Sequence, residues 1–232
     1  MSLPKLNTPI YETILPSTEK VIKYRPFLVK EEKILLTALE DTSGKSLPPA
    51  IKQILNNCIQ SKLDVDKLPT FDIEFLFLRL RAKSVGEVVS IGLKCKECEE
   101  VSQIDLNLEE VKVHKNKKHS TKIMLDDSIG VKMRYPGVNS LDTSGGNESE
   151  NGMNILKNSI DMIFTEEETH ERDSFTDKEL DEFFDSLNSK QFQKLKEFFD
   201  DMPVMKHDVK FKCEKCEKDN IVTLQGLNSF FG

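Results

Sequence analysis

The sequence predicts an α+β fold: an N-terminal β-hairpin and helices, then a discontinuous four-cysteine ribbon interrupted by a helical insertion. Three observations carry this reading. Two Cys-x-x-Cys pairs, Cys95/Cys98 and Cys213/Cys216, sit in matching frames, each with an apolar β-rich run before it and another soon after. The stretches around residues 30–83 and 154–200 repeat apolar residues at helical spacing. Between them lies a polar segment, Asn139 to Asn151, containing Gly145-Gly146, which reads as a loop or linker.

In chain order, Ile10 to Leu15 and Val21 to Tyr24 form a hairpin across the turn-rich Pro16-Ser17-Thr18-Glu19-Lys20. Pro26 closes its second run, because proline cannot donate to a ladder. Lys30 to Glu40 places Ile34, Leu35, Ala38 and Leu39 on one helix face. Pro49 to Ile59 opens with a proline suited to a first helical turn and carries Ile51, Ile54, Leu55, Cys58 and Ile59. Thr70 to Lys83 takes Thr70 as its N-cap and is apolar on nearly every side, so it belongs in a core.

Val88 to Leu93 and Val101 to Leu108 are strands around the first cysteine pair, and Val209 to Phe211 and Ile221 to Leu224 around the second. Thr121 to Leu125 and Val131 to Tyr135 form another hairpin. Asn154 to Phe164 reads as a helix and Glu166 to Asp173 as an acidic solvated stretch. Thr176-Asp177-Lys178-Glu179 is a capping box opening a helix with Leu180, Phe183, Phe184 and Leu187. Lys190 to Asp200 is a last helix, ended by Pro203. The resulting domains are an N-terminal hairpin and helical region (1–87), a β-rich ribbon region (88–138 with 204–232), and a helical insertion (139–203).

Composition narrows the function classes. The 232 residues are 38% hydrophobic and 31% charged, as in a water-soluble globular chain. The net charge of −7 opposes broad phosphate-driven nucleic-acid binding. The opening residues lack the pattern of a signal peptide, and the most apolar run, Phe71 to Leu80, is broken by Asp72, Glu74 and Arg79 and falls far short of the ~20 residues of a membrane span. The chain reads as cytosolic, where thiols stay reduced and paired cysteines point to metal rather than disulfides.

Cys95, Cys98, Cys213 and Cys216 are therefore expected to bind one structural Zn2+ as two zinc knuckles. Each turn presents two thiolates, and two facing turns complete the tetrahedral sulfur shell of closed zinc sites. The 114 residues between Cys98 and Cys213 make the ribbon discontinuous. Closing so long a loop costs entropy that grows slowly with length, and zinc binding, about 10 kcal/mol in small fingers, offsets it. Glycine often follows the second cysteine, where φ is positive; here Glu99 and Glu217 stand there. Cys58 reads as a core residue.

Other patterns carry less. Ser43-Gly44-Lys45-Ser46 resembles the end of a phosphate loop, but Leu39 replaces the required glycine. His170-Glu171 lacks a second histidine at Ser174. The basic stretch Lys112, Lys115, Lys117, Lys118 and Lys122 has no interleaved aromatics for base stacking and reads as a loop or strand rim. No nucleophile–base or carboxylate pair lies in a recognisable motif, so the chain is not expected to be an enzyme.

Several segments resemble the T4-like bacteriophage baseplate hub protein family. They are Leu3-Pro4-Lys5-Leu6-Asn7-Thr8-Pro9, Leu15-Pro16-Ser17-Thr18, Lys23-Tyr24-Arg25-Pro26-Phe27, Leu68-Pro69-Thr70-Phe71-Asp72, Lys83-Ser84-Val85-Gly86-Glu87, Met202-Pro203 and the ending Leu224-Gln225-Gly226-Leu227 with Phe230-Phe231. The resemblance spans most of the chain and is weakest at 110–150. It implies a non-enzymatic role in building the central hub of a contractile tail's baseplate inside the infected bacterium. The implied partners are other hub proteins and the tape-measure protein, and the chain is either a virion subunit or an assembly chaperone. Tyr24, Arg25 and Phe27, with Phe230 and Phe231, are the expected partner contacts. The rival reading is a zinc-ribbon nucleic-acid or transcription module using the basic stretch.

Overall fold

A computed structural model describes residues 6–43, 45–137 and 148–230. The architecture is α+β, with six α-helices and several small antiparallel sheets among the described residues. No helix among them is long and apolar enough to cross a membrane. The chain forms two compact units, one of Met1–His114 with Val204–Gly232 and one of Lys115–Pro203.

The first unit begins with β1 (Tyr11–Ile14) and β2 (Val21–Tyr24), paired antiparallel from Tyr11↔Tyr24 to Ile14↔Val21. Alternation sends Ile22 and Tyr24 inward and leaves Ile14 and Val21 exposed. Helices α1 (Val29–Leu39), α2 (Leu47–Cys58) and α3 (Thr70–Ser84) follow. The Glu31 carboxylate on α1 is fully buried, ion-paired with Arg25 at 3.0 Å and accepting the Leu28 amide at 2.9 Å. Without these partners a buried charge would be prohibitive.

Helix α3 is the core element, burying Phe71, Ile73, Phe75, Leu76, Phe77, Leu78 and Leu80. Its N-cap is Pro69 rather than Thr70, which is already the first helical residue. The Arg79 guanidinium on α3 donates to the carbonyls of Leu108 (2.9 Å) and Val111 (2.7 Å), holding the chain as it leaves the first cysteine hairpin. Glu74 accepts the Leu227 amide at 3.2 Å, and Phe230 is fully buried, so the C-terminal turn packs into the same unit.

The cysteine pairs lie in two hairpins, β3 (Val88–Lys94) with β4 (Val101–Asn107) and β10 (Val204–Lys212) with β11 (Asp219–Gln225). A short β5 (Lys112–His114), within the expected loop or strand rim, pairs with the start of β10, His114 opposite Val204. The second unit is thus inserted between two residues that face each other across a ladder, so it can extend the chain by 115–203 without displacing either cysteine hairpin.

That second unit holds a four-stranded sheet ordered β6 (Lys122–Met124), β7 (Gly130–Met133), β8 (Ile160–Phe164), β9 (Thr169–Glu171), with α4 (Glu148–Asn158), α5 (Asp177–Ser186) and α6 (Ser189–Asp200). Leu125, Val131, Met133, Leu156, Ile160, Leu180, Phe184, Leu195 and Phe198 form its core. The 121–135 hairpin belongs here, whereas the sequence attaches it to the ribbon region and starts the insertion at 139. The expected linker falls mostly outside the described residues, and its last residues already belong to α4.

The expected helix from Asn154 to Phe164 is corrected to α4 followed by β8. Ser159, whose amide and hydroxyl both bond the Ile155 carbonyl, ends the helix. Ile160, Met162, Ile163 and Phe164 then pair with β7, so sheet pairing overrides an ambiguous apolar period. Gly130 leaves room for this pairing, since a Cβ there would lie 2.3 Å from the Phe164 ring.

Candidate metal centre

The two cysteine hairpins are copies of one local design. Residue numbers in one exceed those in the other by 118, as Cys213 corresponds to Cys95, Cys216 to Cys98 and Glu217 to Glu99. In each turn the first cysteine amide bonds back across the loop, Cys95 N to Glu100 O at 2.8 Å and Cys213 N to Lys218 O at 2.9 Å. In each, the residue after the second cysteine donates to the first cysteine's carbonyl, Glu99 at 3.1 Å and Glu217 at 3.0 Å. That closure needs positive φ, and Glu99 (59°) and Glu217 (55°) adopt it despite having side chains. Ile91 and Leu93 beneath one turn, and Val209 and Phe211 beneath the other, are buried and anchor both on apolar strands.

All four Sγ atoms lie within 4.8 Å of one another. Cys95 and Cys216 are 3.6 Å apart across the two turns, and so are Cys98 and Cys213. These separations are far beyond a disulfide bond of about 2.05 Å. They match a tetrahedron of thiolates on metal–sulfur bonds of about 2.3 Å, whose edges are about 3.8 Å. Cys95 and Cys213 are buried, while Cys98 and Cys216 are partly exposed.

The electrostatics point the same way. Amide donors, Cys98 and Glu97 for Cys95 and Cys216 and Lys215 for Cys213, pull both first cysteines below the ordinary thiol range, Cys95 to about 6. The second cysteines lie above that range. Backbone hydrogen bonding, from Glu100 at Cys98 and Lys218 at Cys216, is outweighed by burial and crowding among sulfurs, and Cys98 is pushed up to about 12. Four thiols this close cannot all ionise against one another, and a bound cation removes that conflict.

Asn220, absent from the expected site, completes the arrangement. Its Oδ1 accepts the Lys96 amide at 3.0 Å, and its Nδ2 donates to Cys95 Sγ at 3.4 Å and to the Lys218 carbonyl at 3.0 Å. The signal available for it was a polar residue at an inward strand position beside a cysteine turn. Ser102 occupies the equivalent place in the other hairpin, where its buried hydroxyl has no hydrogen-bond partner among the described residues. Lys215 also crosses between the hairpins, to Glu100 at 3.0 Å.

Thus the structure brings the four expected cysteines together. Of the expected partner contacts, Tyr24, Phe27 and Phe230 are buried, and Phe231 lies outside the described residues. The Arg25 guanidinium bonds Glu31 and the carbonyls of Pro26 and Asn57. Contact through Tyr24, Phe27 or Phe230 requires that packing to open. Cys58, as expected, is a core residue, its thiol pushed up to about 11 by burial.

No curated protein and no solved structure matches this chain. The family model for the T4 bacteriophage base plate protein matches residues 8–232, both cysteine turns included. The chain therefore belongs to the T4 bacteriophage base plate protein family.

Proposed function

We propose that this protein is a component or assembly factor of the baseplate hub, acting by protein–protein contact and without catalysis, with a structural zinc ion on Cys95, Cys98, Cys213 and Cys216. The family match over nearly the whole chain carries the baseplate assignment. The four-thiol cluster supports zinc, because an all-sulfur, closed tetrahedral set is the donor chemistry zinc takes in structural sites. Bound there, zinc supplies no reaction and makes two distant hairpins one unit. The exposed cross-strand pair Ile14 and Val21, 59% and 55% accessible, is the kind of surface a protein partner covers.

Peptide mass spectrometry of purified particles against infected-cell lysate tests the reading. Peptides in the particle at a few copies, co-purifying with hub proteins or the tape-measure protein, identify a hub subunit. Peptides confined to the lysate in complex with those proteins identify a chaperone. Peptides that follow neither the particle nor any tail protein contradict both forms of the proposal.

A further inference from the structure

The charge of the chain is unevenly divided. Lys115–Pro203 holds 12 basic and 19 acidic residues, so the whole net charge of −7 resides in the inserted unit, and the remainder is balanced. Within the insertion the two signs are separated again. From Asp161 to Asp185 there are eleven carboxylates against Arg172 and Lys178, a net of −9. From Lys115 to Lys122 there are four lysines and no carboxylate.

The sheet sets these segments apart. β9, flanked by Glu166, Glu167, Glu168 and Asp173, is one edge of the four-stranded sheet, and β6, entered through Lys117 and Lys118, is the other. Three strand spacings of about 4.8 Å separate the two edges, so the opposite charges do not neutralise each other within one sheet. Glu166, Glu167, Glu171, Asp173 and Asp185 form no ion pair among the described residues, and neither do Lys117, Lys118 and Lys122. The basic edge is closed to strand pairing. The Ser120 hydroxyl bonds both the amide and the carbonyl of Lys122, and the Lys194 ammonium bonds the Met124 carbonyl. What that edge offers a partner is charge.

We infer that the inserted unit is a head-to-tail contact between copies of this chain, the acidic β9 edge of one copy meeting the basic Lys117–Lys122 edge of the next. The occupant is a second copy because both halves of the contact are present on the same unit with opposite sign, and Glu166, Glu167, Lys117 and Lys118 are exposed and form no ion pair among the described residues. A contact between two different patches is heterologous, so it propagates to a ring or a filament.

The test is a charge swap on the full-length protein. One variant carries Glu166→Lys and Glu167→Lys, the other Lys117→Glu and Lys118→Glu. All four positions are exposed, and circular dichroism confirms that both variants fold. Sedimentation velocity in about 0.1 M salt, where screening reaches about 10 Å, is expected to show concentration-dependent association of the wild type and at least tenfold weaker association of each variant alone. Mixing the two variants restores association, because each reversed patch then meets its complement. In about 1 M salt the wild type dissociates. A wild type that stays monomeric at high micromolar concentration overturns the inference, as do variants that associate like the wild type or a mixture that fails to associate.

Discussion

Asn220 Nδ2 lies 3.4 Å from Cys95 Sγ across a separation of 125 positions, and the same side chain accepts the Lys96 amide at 3.0 Å. One amide therefore fixes the turn of the opposite hairpin and donates to its thiolate. Groups of this kind around metal ligands set ligand orientation, and their loss commonly costs 10–100-fold in metal affinity. Asn220→Ala is predicted to weaken metal binding by about that factor and to lower stability by roughly 1–3 kcal/mol, the cost of leaving buried polar groups unpaired. Asn220→Asp is predicted to be worse, since a carboxylate replaces the donor beside a thiolate. Competition against a chromophoric chelator, with urea denaturation alongside, checks both.

Replacing Cys95 or Cys213 by serine is predicted to abolish tight metal binding and to remove several of the ~10 kcal/mol a structural zinc shell supplies. Thiol labelling separates these cysteines from Cys58, which is buried and whose thiol is pushed up to about 11. In the chelated, folded protein Cys58 should react last. Early labelling of Cys58 would mean that chelation unfolds the whole first unit.

Glu99 and Glu217 hold φ of 59° and 55° at equivalent places. A side chain in this region costs about 1–2 kcal/mol, which glycine avoids at the expense of greater freedom when unfolded. Glu99→Gly and Glu217→Gly are each predicted to stabilise by about 0.5–1 kcal/mol, additively, read as a shift in denaturation midpoint. The ion pairs lost, to Lys94 and Lys212, are exposed and contribute little.

His119 stacks on Tyr135 and lies tilted against Phe198, and its buried Nε2 has no hydrogen-bond partner among the described residues. Burial holds its pKa below the ordinary 6.5, with the Asp201 charge opposing in part. The unfolded chain consequently takes up a proton before the folded chain does. The contribution of His119 to stability is complete above pH 6.5 and is lost as pH falls from 6.5 through the lower folded value. His119→Phe keeps the stack and is predicted to flatten the stability of this unit over that window, measured by denaturation at about one pH unit above and below 6.5.

The four-cysteine cluster was legible because its chemistry is local. Each Cys-x-x-Cys turn is specified by a few neighbouring residues and flanking strands, and the second copy removes the ambiguity of one. The Thr176–Glu179 capping box was legible for the same reason, with Glu179 Oε2 accepting the Thr176 amide at 2.7 Å. Features set by distant partners were not. The run from Ile160 to Phe164 has the apolar content of either helix or strand, and β7 decides it. Asn220 gains its meaning only from Lys96 and Cys95 in the other hairpin. Tyr24 and Phe230, aromatic residues near polar ones, suit a surface or a core equally until α3 and its neighbours supply the packing.

Native mass spectrometry of the purified protein, before and after chelation, decides whether the four cysteines hold a zinc ion. One zinc ion per chain is predicted, lost on chelation together with protection of Cys95, Cys98, Cys213 and Cys216 from thiol reagents and with a large fall in unfolding temperature. A folded chain that carries no metal, gains no stability from added zinc and leaves those four cysteines freely reactive would contradict it.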